Sequence, residues 1–274
     1  MNTLKVIMLI GMLSGLLVII GYLLGRGKGI IIALIISAVM NVGSYWYSDS
    51  IVLKMYKAQP VTQEEAPDLY AAVKTLTRQA EIPMPKLYII PTDTPNAFAT
   101  GRNENHAAVA VTSGLLSLMN REEVEGVIAH ELSHIKHKDI LISTMAATIA
   151  SAVVLLSRWS VFFGGDDGSV IGAIAIAIVA PVAATLVQTA ISRSREYEAD
   201  AGSARITRNP EGLAKALMKL STAAHQLPMG ANPATAHMFI VNPLSGSTIM
   251  NLFSTHPPVE KRIERLLEMK NNWM

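Results

Sequence analysis

The sequence has no cysteine and little charge. Charged residues make up 16% of the 274 positions, against about 25% in an ordinary soluble domain. Without cysteine the chain can form neither a disulfide scaffold nor a thiolate zinc finger, so any metal site must use His, Asp or Glu. The net charge of +2 is too small to imply a nucleic-acid partner. Half of the residues are hydrophobic, and this excludes a disordered tail.

The hydrophobic residues are concentrated in uncharged runs, which indicates a membrane protein with a modest water-exposed part. The runs cover residues 6–24, 30–46, 140–156 and 170–191. Crossing a bilayer takes about 20 apolar residues of helix, so each run is long enough, the second and third only just. The first run exceeds the roughly 7–15 residues of a signal-peptide core, and no small-x-small cleavage site follows it. We therefore interpret it as a retained anchor.

Basic residues near the ends of these runs predict their orientation. Lys136 and Lys138 precede the third run, while Arg193 and Arg195 follow the fourth. Lys and Arg accumulate on the cytoplasmic side of transmembrane segments. Basic residues lie at both ends of the first two runs and do not decide the orientation of that hairpin. Two hairpins nevertheless place every long soluble segment on one side of the membrane. We expect a multi-pass protein of the cytoplasmic membrane whose soluble segments face the cytoplasm.

The segments outside the runs contain both helical and strand patterns. Predicted helices cover residues 63–80, 120–132, 210–224 and 256–270, and predicted strands cover 86–90 and 107–111. Asn120 and Glu123 form a capping-box pattern. Residues 224–255 have weak periodicity and several Gly, Pro and Asn, so we expect irregular structure there. The predicted fold is α+β, predominantly helical, with four transmembrane helices. Its parts are a hairpin (1–47), a soluble segment (48–139), a second hairpin (140–191) and a second soluble segment (192–274).

The helix that begins at Asn120 contains a sequence motif with chemical meaning, His130-Glu131-Leu132-Ser133-His134. Residues four apart share a helical face, so the two imidazoles can bind one metal ion together. Glu131 lies about 100° further round the helix, beside the ion, where it can accept a proton from the attacking water. Two surface histidines on an ordinary amphipathic helix are the alternative, so the motif alone does not decide the function.

A catalytic zinc site needs a third protein ligand and an open position. Glu196 and Asp200 follow the fourth run, one helical turn apart. They suit a ligand carboxylate and a second carboxylate that orients a ligand imidazole, although a solvated charge run beside a membrane is the alternative. His134 lies six residues before the third run and Glu196 five after the fourth, about 9 Å and 7.5 Å along a helix. This matching depth favours the metal site.

Taken in chain order, these features resemble a known family over essentially the whole length. The order is two apolar runs, the segment Asn96-Ala97-Phe98-Ala99-Thr100-Gly101, the His130 motif, two more runs, the Glu196 motif and Ser254-Thr255-His256-Pro257-Pro258. The chain resembles the membrane-embedded zinc metallopeptidases of the HtpX heat-shock protease family. Many peptidase families share the zinc motif. Its placement between paired spans, with Glu196 after the fourth span, narrows the choice among those families to this one.

The resemblance implies a gluzincin-like peptidase domain at the membrane surface with one zinc ion per chain. His130, His134 and Glu196 match the zinc ligands of the family, and Glu131 matches its catalytic base. Asp200 matches the position one turn after the glutamate ligand. These five roles are carried over residue by residue and are expectations at this point.

The resemblance also gives a role to residues that the sequence alone leaves unremarkable. Asn96 and Ala97 match the segment before the edge strand, where similar peptidases hold the substrate backbone by β-augmentation; by itself, Asn96 is only a turn residue. His256 matches a histidine near the zinc that either stabilises the oxyanion or occludes the metal. Without the family, it is only a residue at the start of a helix.

We therefore expect a zinc endopeptidase that cleaves membrane or misfolded proteins on the cytoplasmic side. The substrate class and a role in membrane protein quality control or stress response follow from the resemblance. The expected partners are polypeptide substrates and the lipid bilayer, with no nucleic acid. A non-catalytic membrane scaffold or sensor with a structural zinc is the alternative function. Glu131 discriminates between the two, because a structural zinc site has no use for it.

Overall fold

The protein is described here from a computed structural model, which covers residues 2–145, 193–226, 235, 238–241 and 256–271. The third predicted run (140–156) lies outside the described residues except for its first turns, which are helical from residue 139 to 145. The fourth run (170–191) and most of the segment predicted as irregular (224–255) also lie outside them.

The first two apolar runs form one helical hairpin. Helix α1, Asn2–Met55, is interrupted at Arg26, whose φ of 48° and ψ of −130° turn the chain back on itself. Asn41 Nδ2 donates a hydrogen bond to Ser14 Oγ at 3.0 Å, which joins the two arms. A Cβ atom on Gly21 would lie 2.4 Å from a carbonyl oxygen of the opposite arm, so the close approach requires glycine.

The second arm is long and apolar enough to cross a membrane. Among the described residues, Gly25–Tyr47 is the one helix that passes this test, with 23 residues and a hydropathy of 1.8. Its large side chains point outward, as Ile35 (59% exposed) and Val39 (67% exposed) show. A bilayer would cover such a surface. The arrangement of four spans as a whole stays a prediction.

A mixed four-stranded sheet follows the hairpin along the chain, and α1 contacts two of its strands. Its strands are β1 (Gln59–Pro60), β2 (Lys86–Ile90), β3 (Ala97–Gly101) and β4 (Ala107–Thr112). They are ordered β1-β2-β4-β3, with β2 parallel and β3 antiparallel to β4. Both predicted strands are confirmed, whereas β3 has no strand pattern of its own and depends on pairing with β4. Among the described residues, β3 lies at an edge of the sheet, and one side of its backbone has no strand partner there.

Helices cover one face of the sheet. They are α2 (Pro67–Ala80), α3 (Ser113–Leu118), α4 (Arg121–Lys136), α5 (Arg193–Thr207), α6 (Pro210–Gln226) and α7 (Val259–Asn271). The predicted capping box is confirmed, since Asn120 Oδ1 accepts from the Glu123 amide and the Glu123 carboxylate accepts from the Asn120 amide. The predicted helix at 63–80 begins four residues later, at Pro67, because residues 63–66 form a turn. Helix α4 packs against α2, α5 and α6 and so lies at the centre of the domain.

The chain does not continue straight from α4 toward the third run. Helix α4 ends at Lys136, and Lys138 has a φ of 61° in the left-handed region, after which a new helix begins at Asp139. A left-handed residue ends a helix and redirects the chain. The 9 Å estimate for His134 assumes a continuous helix, and that assumption is wrong because the helix breaks at Lys138. The position of the site relative to the third run depends on this break.

Candidate active site

Three side chains with metal-binding atoms converge between α4 and α5. His130 Nε2 lies 3.1 Å from His134 Nε2, and the Glu196 carboxylate lies 3.8 Å and 3.5 Å from the two imidazoles. One ligand atom from each residue lies within 4.8 Å of the others. Ligands at 2.0–2.1 Å from a tetrahedral zinc are about 3.3 Å apart. The spacing and the donor set of two imidazoles and one carboxylate therefore fit a zinc ion with one position left open.

Glu131 lies beside these three residues and is 3% exposed. Burial raises the pKa of its carboxyl group to about 7, because the charged form loses its hydration. The backbone amide of Ala99 donates a hydrogen bond to the carboxylate and opposes part of this shift. A carboxyl group with a pKa near 7 can both accept and return a proton at neutral pH, as a general base requires.

Asp200 lies next to His130, on the side away from the other ligands. Its Oδ1 is 3.0 Å from His130 Nδ1, although the N–H is not aligned for a good hydrogen bond. Burial lowers the pKa of His130 to about 4, so this imidazole is neutral and free to bind a metal. Burial alone would raise the pKa of Asp200, but Arg262 and His130 hold it below its usual value. Asp200 is therefore an anion beside a neutral imidazole.

Arg262, which the sequence interpretation missed, is completely buried beneath the site. It donates two hydrogen bonds to the Asp200 carboxylate, at 2.7 Å and 2.8 Å, and a third to the carbonyl oxygen of Ile240 at 2.9 Å. Its signal in the sequence is its position on α7, where it shares a helical face with Val259 and Leu266. A lone arginine on the apolar face of a helix calls for a buried anion.

Asp139, also missed, lies next to the other ligand histidine. Its Oδ2 is 3.2 Å from His134 Nδ1, and Arg195 pairs with its Oδ1. Burial would lower the pKa of His134, but the surrounding carboxylates of Asp139, Glu196 and Glu131 raise it to about 9. The metal-free site therefore holds a proton on His134 at neutral pH.

His256, at the start of the segment leading into α7, contacts the carboxylate ligand. Its Nδ1 is 2.8 Å from Glu196 Oε2. Burial would raise the pKa of Glu196, but His256, His134 and Arg262 hold it well below its usual value. His256 Nε2 is buried and has no hydrogen-bond partner among the described residues. Since His256 lines the same cavity as Glu131, this nitrogen is available to a bound substrate.

The chain itself occupies part of the edge of β3. Asn96 is buried, and its side-chain amide donates a hydrogen bond to the carbonyl oxygen of Val241 at 3.0 Å. The Ile240 amide donates to the carbonyl oxygen of Ala97 at 3.2 Å. Because backbone groups in an antiparallel strand alternate in direction, those of Ala97 and Ala99 both point away from β4. Ala99 lines the cavity and is the outward-facing residue of β3 nearest Glu131.

These features define a class of protein. Two histidines four apart on a helix, a glutamate from a second helix and a buried carboxylate beside them make a metal-dependent hydrolase site. Residues 63–270 match the family model of Peptidase family M48. Protease HtpX homologues are similar over almost the whole chain. The one from Desulforapulum autotrophicum is 58% identical over 97% of this chain and 89% of its own length.

Two further HtpX homologues extend this similarity. The one from Pyrococcus abyssi is 58% identical over 94% of this chain and 92% of its own length. The one from Persephonella marina is 54% identical over 98% of both chains. The chain therefore belongs to Peptidase family M48 and, within it, to the HtpX proteases. It is a membrane metalloendopeptidase, and the resemblance inferred from the sequence is confirmed.

One solved structure shows the same fold at low sequence similarity. The crystal structure of S. mikatae Ste24p aligns with a TM-score of 0.54 at 16% identity. The alignment covers 97% of this chain and 64% of that one. At this identity the likeness concerns the fold alone.

Proposed function

We propose that the protein is a zinc-dependent endopeptidase that hydrolyses peptide bonds of membrane or misfolded proteins on the cytoplasmic side of the cell membrane. The observation that carries the proposal is the buried Glu131 carboxylate beside three converging metal-binding atoms. A structural zinc site is closed by four protein ligands. Within the part of the chain that the structure describes, three ligand atoms converge, and Glu131 beside them is not one of the three.

His130, His134 and Glu196 are the residues that would hold the zinc, with one ion per chain. Two imidazoles and one carboxylate are a known ligand set of catalytic zinc. A bound zinc ion supplies Lewis acidity at the open position. Asp200 lies 3.0 Å from the second ring nitrogen of His130 and would accept its N–H after a small rotation of the ring, as partners of ligand histidines commonly do.

The protein supplies the proton transfers. Glu131 accepts a proton from the attacking water and delivers it to the leaving nitrogen, since burial places its pKa near neutrality. His256 Nε2 is buried without a partner among the described residues. We assign it to the substrate carbonyl oxygen. With Nδ1 donating to Glu196, the imidazolium form of His256 would donate from Nε2 and stabilise the negative charge that develops during attack.

The substrate backbone binds along the edge of β3. An extended peptide adds to an open sheet edge through main-chain hydrogen bonds, and we assign the first of these bonds to the outward-facing carbonyl oxygen of Ala99. The Ala99 amide donates to Glu131 and the Ala97 amide donates to Asn96 Oδ1, so a peptide that uses these amides must replace both bonds. Asn96 fixes the start of this edge by bonding to Val241. A peptide that reaches Ala97 must replace the hydrogen bond from the Ile240 amide, so this segment limits how far the substrate extends.

The cytoplasmic side and the quality-control role rest on the basic residues that flank the predicted second hairpin and on the similarity to HtpX proteases. The location near a membrane has a structural argument as well. Ile140, Ile142 and Ser143 line the cavity, and all three belong to the first turns of the third predicted span. An active site lined by the start of a span lies at the membrane surface.

The test separates an enzyme from a scaffold that holds zinc structurally. Purified full-length protein in detergent is incubated with casein, then stripped of metal with a chelator and reloaded with zinc. We expect cleavage that the chelator abolishes and zinc restores. Tight zinc binding without any cleavage of casein or of other unfolded proteins would favour the scaffold.

A further inference from the structure

Asp139 connects the metal site to the two ends of the predicted second hairpin. It is the first residue of the helix that leads into residues 140–191, and Arg195 belongs to the helix that emerges from them. One carboxylate oxygen of Asp139 lies 3.2 Å from His134 Nδ1, and the other pairs with Arg195. The same carboxylate thus contacts a metal ligand and a residue adjacent to another ligand, Glu196.

We propose that Asp139 is a positioning residue that sets the ring orientation of His134, and that Arg195 holds Asp139 in place. This inference rests on the proposed zinc ligands. A ligand imidazole usually donates its second ring N–H to a carboxylate, which fixes the tautomer and directs the other nitrogen at the metal. His134 Nδ1 faces Asp139, so Nε2 is directed at the other two ligands.

The backbone geometry is built for this contact. On an unbroken helix, residues five apart are separated by about 500° of rotation, which places them roughly 140° apart on the helix surface. Asp139 could not reach His134 in that arrangement. The left-handed residue Lys138 breaks the helix and returns Asp139 to the face that carries His134. The break therefore brings Asp139 to His134, in addition to joining the two helices.

Burial distinguishes this ion pair from those at the surface. The side chains of Asp139 and Arg195 are 8% and 16% exposed. By contrast, Lys136, at the same end of α4, lies 3.9 Å from Glu81, the residue that ends α2, and Glu81 is 84% exposed. An exposed pair of this kind contributes little to structure. It provides a matched control that lies close to the site without contacting it.

The experiment measures zinc affinity of the full-length protein by competition with a chelator. We expect Asp139→Ala to weaken zinc binding about 10–100-fold in a metal-free variant that still folds, although it unfolds at a lower temperature because Arg195 loses its partner. Asp139→Asn should weaken it less, because an amide oxygen can still accept the His134 N–H. Glu81→Ala should leave affinity unchanged. Unchanged affinity in Asp139→Ala would overturn the inference.

Exchanging the two charges distinguishes two roles of Asp139: orienting His134, or only forming an ion pair with Arg195 that holds the two helices together, which we call the clamp. The double variant Asp139→Arg/Arg195→Asp keeps an ion pair between the two positions but removes the carboxylate from residue 139. We expect its zinc affinity to be as weak as that of Asp139→Ala. Recovery of full affinity would show that only the clamp matters and would overturn the positioning role. His134→Ala is the reference for ligand loss: if it bound zinc normally, the proposed ligand set itself would fail.

Discussion

Glu131 is the residue that separates a peptidase from a protein that merely binds zinc. It lies beside the ligands, is buried, and has a pKa raised to about 7 by that burial. At the residue scale, the roles of neighbouring acidic groups are thus set by what surrounds each one. Glu196 is held ionised by His256, His134 and Arg262, whereas Glu131 is close to its titration point at neutral pH.

Replacement of Glu131 by glutamine tests the role of the base. The amide is almost the same size as the carboxylate, and His130, His134 and Glu196 are unchanged, so we expect zinc content to stay at one per chain. Turnover of casein should fall at least about 100-fold, since the amide cannot accept the proton. Metal analysis and peptidase assays on one preparation provide both measurements. Appreciable residual activity would contradict the assignment.

Glu196 and Glu198 offer a matched pair for the third ligand. Glu196 is buried at the site and Glu198 is exposed, because the two residues lie about 200° apart around α5. We expect Glu196→Ala to lower the zinc content sharply and Glu198→Ala to leave it unchanged. Metal analysis after dialysis measures both. The reverse pattern would mean that the wrong glutamate has been chosen.

The pH dependence of metal binding follows from His134. Its pKa is raised to about 9, so the metal-free protein carries a proton on this imidazole at pH 7 to 8.5. Zinc must displace that proton, and binding therefore strengthens as the pH rises toward 9. We expect about a tenfold gain in affinity per pH unit in this range, after correction for protonation of the competing chelator. Affinity independent of pH would show that His134 is already neutral.

At the scale of the elements, helices α4, α5 and α7 each place one part of the site. Helix α4 presents two imidazoles on one face, α5 contributes Glu196 and Asp200 one turn apart, and α7 inserts Arg262 beneath them. Two buried carboxylates on one helix repel each other, and a buried charge without a partner is costly. Arg262 lies close to both of them, 2.7 Å from Asp200 and 3.7 Å from Glu196, and so makes the arrangement stable.

Removal of the Arg262 charge should therefore destabilise the folded protein. We expect Arg262→Met to lower the free energy of unfolding by about 3–5 kcal/mol, because Asp200 is left buried without its partner. Arg265→Met is the matched control on α7. Arg265 is exposed and lies 3.7 Å from the ring of Tyr197, a contact that contributes only about 0.5–1 kcal/mol at an exposed site. Denaturant unfolding in detergent compares the two, and equal losses would contradict the argument.

At the scale of the whole molecule, the cavity lies where the soluble domain meets the predicted second hairpin. It is lined by Ile140, Ile142 and Ser143 from the start of the third predicted span and by Arg195 after the fourth. If the third run crosses the membrane as predicted, this cavity opens close to the lipid head groups, where a compact soluble protein could hardly present a peptide bond. An extended segment near a membrane anchor could do so, by pairing with the edge of β3.

The preference for anchored substrates is measured with one cleavable sequence in two contexts. In the first, the sequence directly follows a transmembrane anchor; in the second, a long folded spacer separates it from the anchor. We expect the first to be cleaved faster in proteoliposomes, since only that sequence lies at the level of the cavity. The Glu131→Gln variant controls for other proteases. Equal cleavage of both substrates would refute the depth argument and leave the zinc chemistry intact.

Local spacing was enough for the sequence to determine the ligand-bearing helix. The capping box at Asn120, the histidines at 130 and 134, and the apolar runs are all patterns within one or a few turns, and a helix converts such spacing directly into a shared face. The strands at 86–90 and 107–111 were predictable for the same reason. The family resemblance added the order of these patterns along the chain, and the comparisons confirm it.

Only the tertiary structure decided which distant residues complete the site. Arg262 contacts Asp200 across 62 positions of sequence, and Asn96 contacts Val241 across 145. Strand β3 has no pattern of its own and exists because β4 pairs with it. Asp139 reaches His134 only because the helix breaks at Lys138. Spacing along a chain fixes neighbours within a helix, but contacts between elements depend on how the whole chain packs, which no local pattern records.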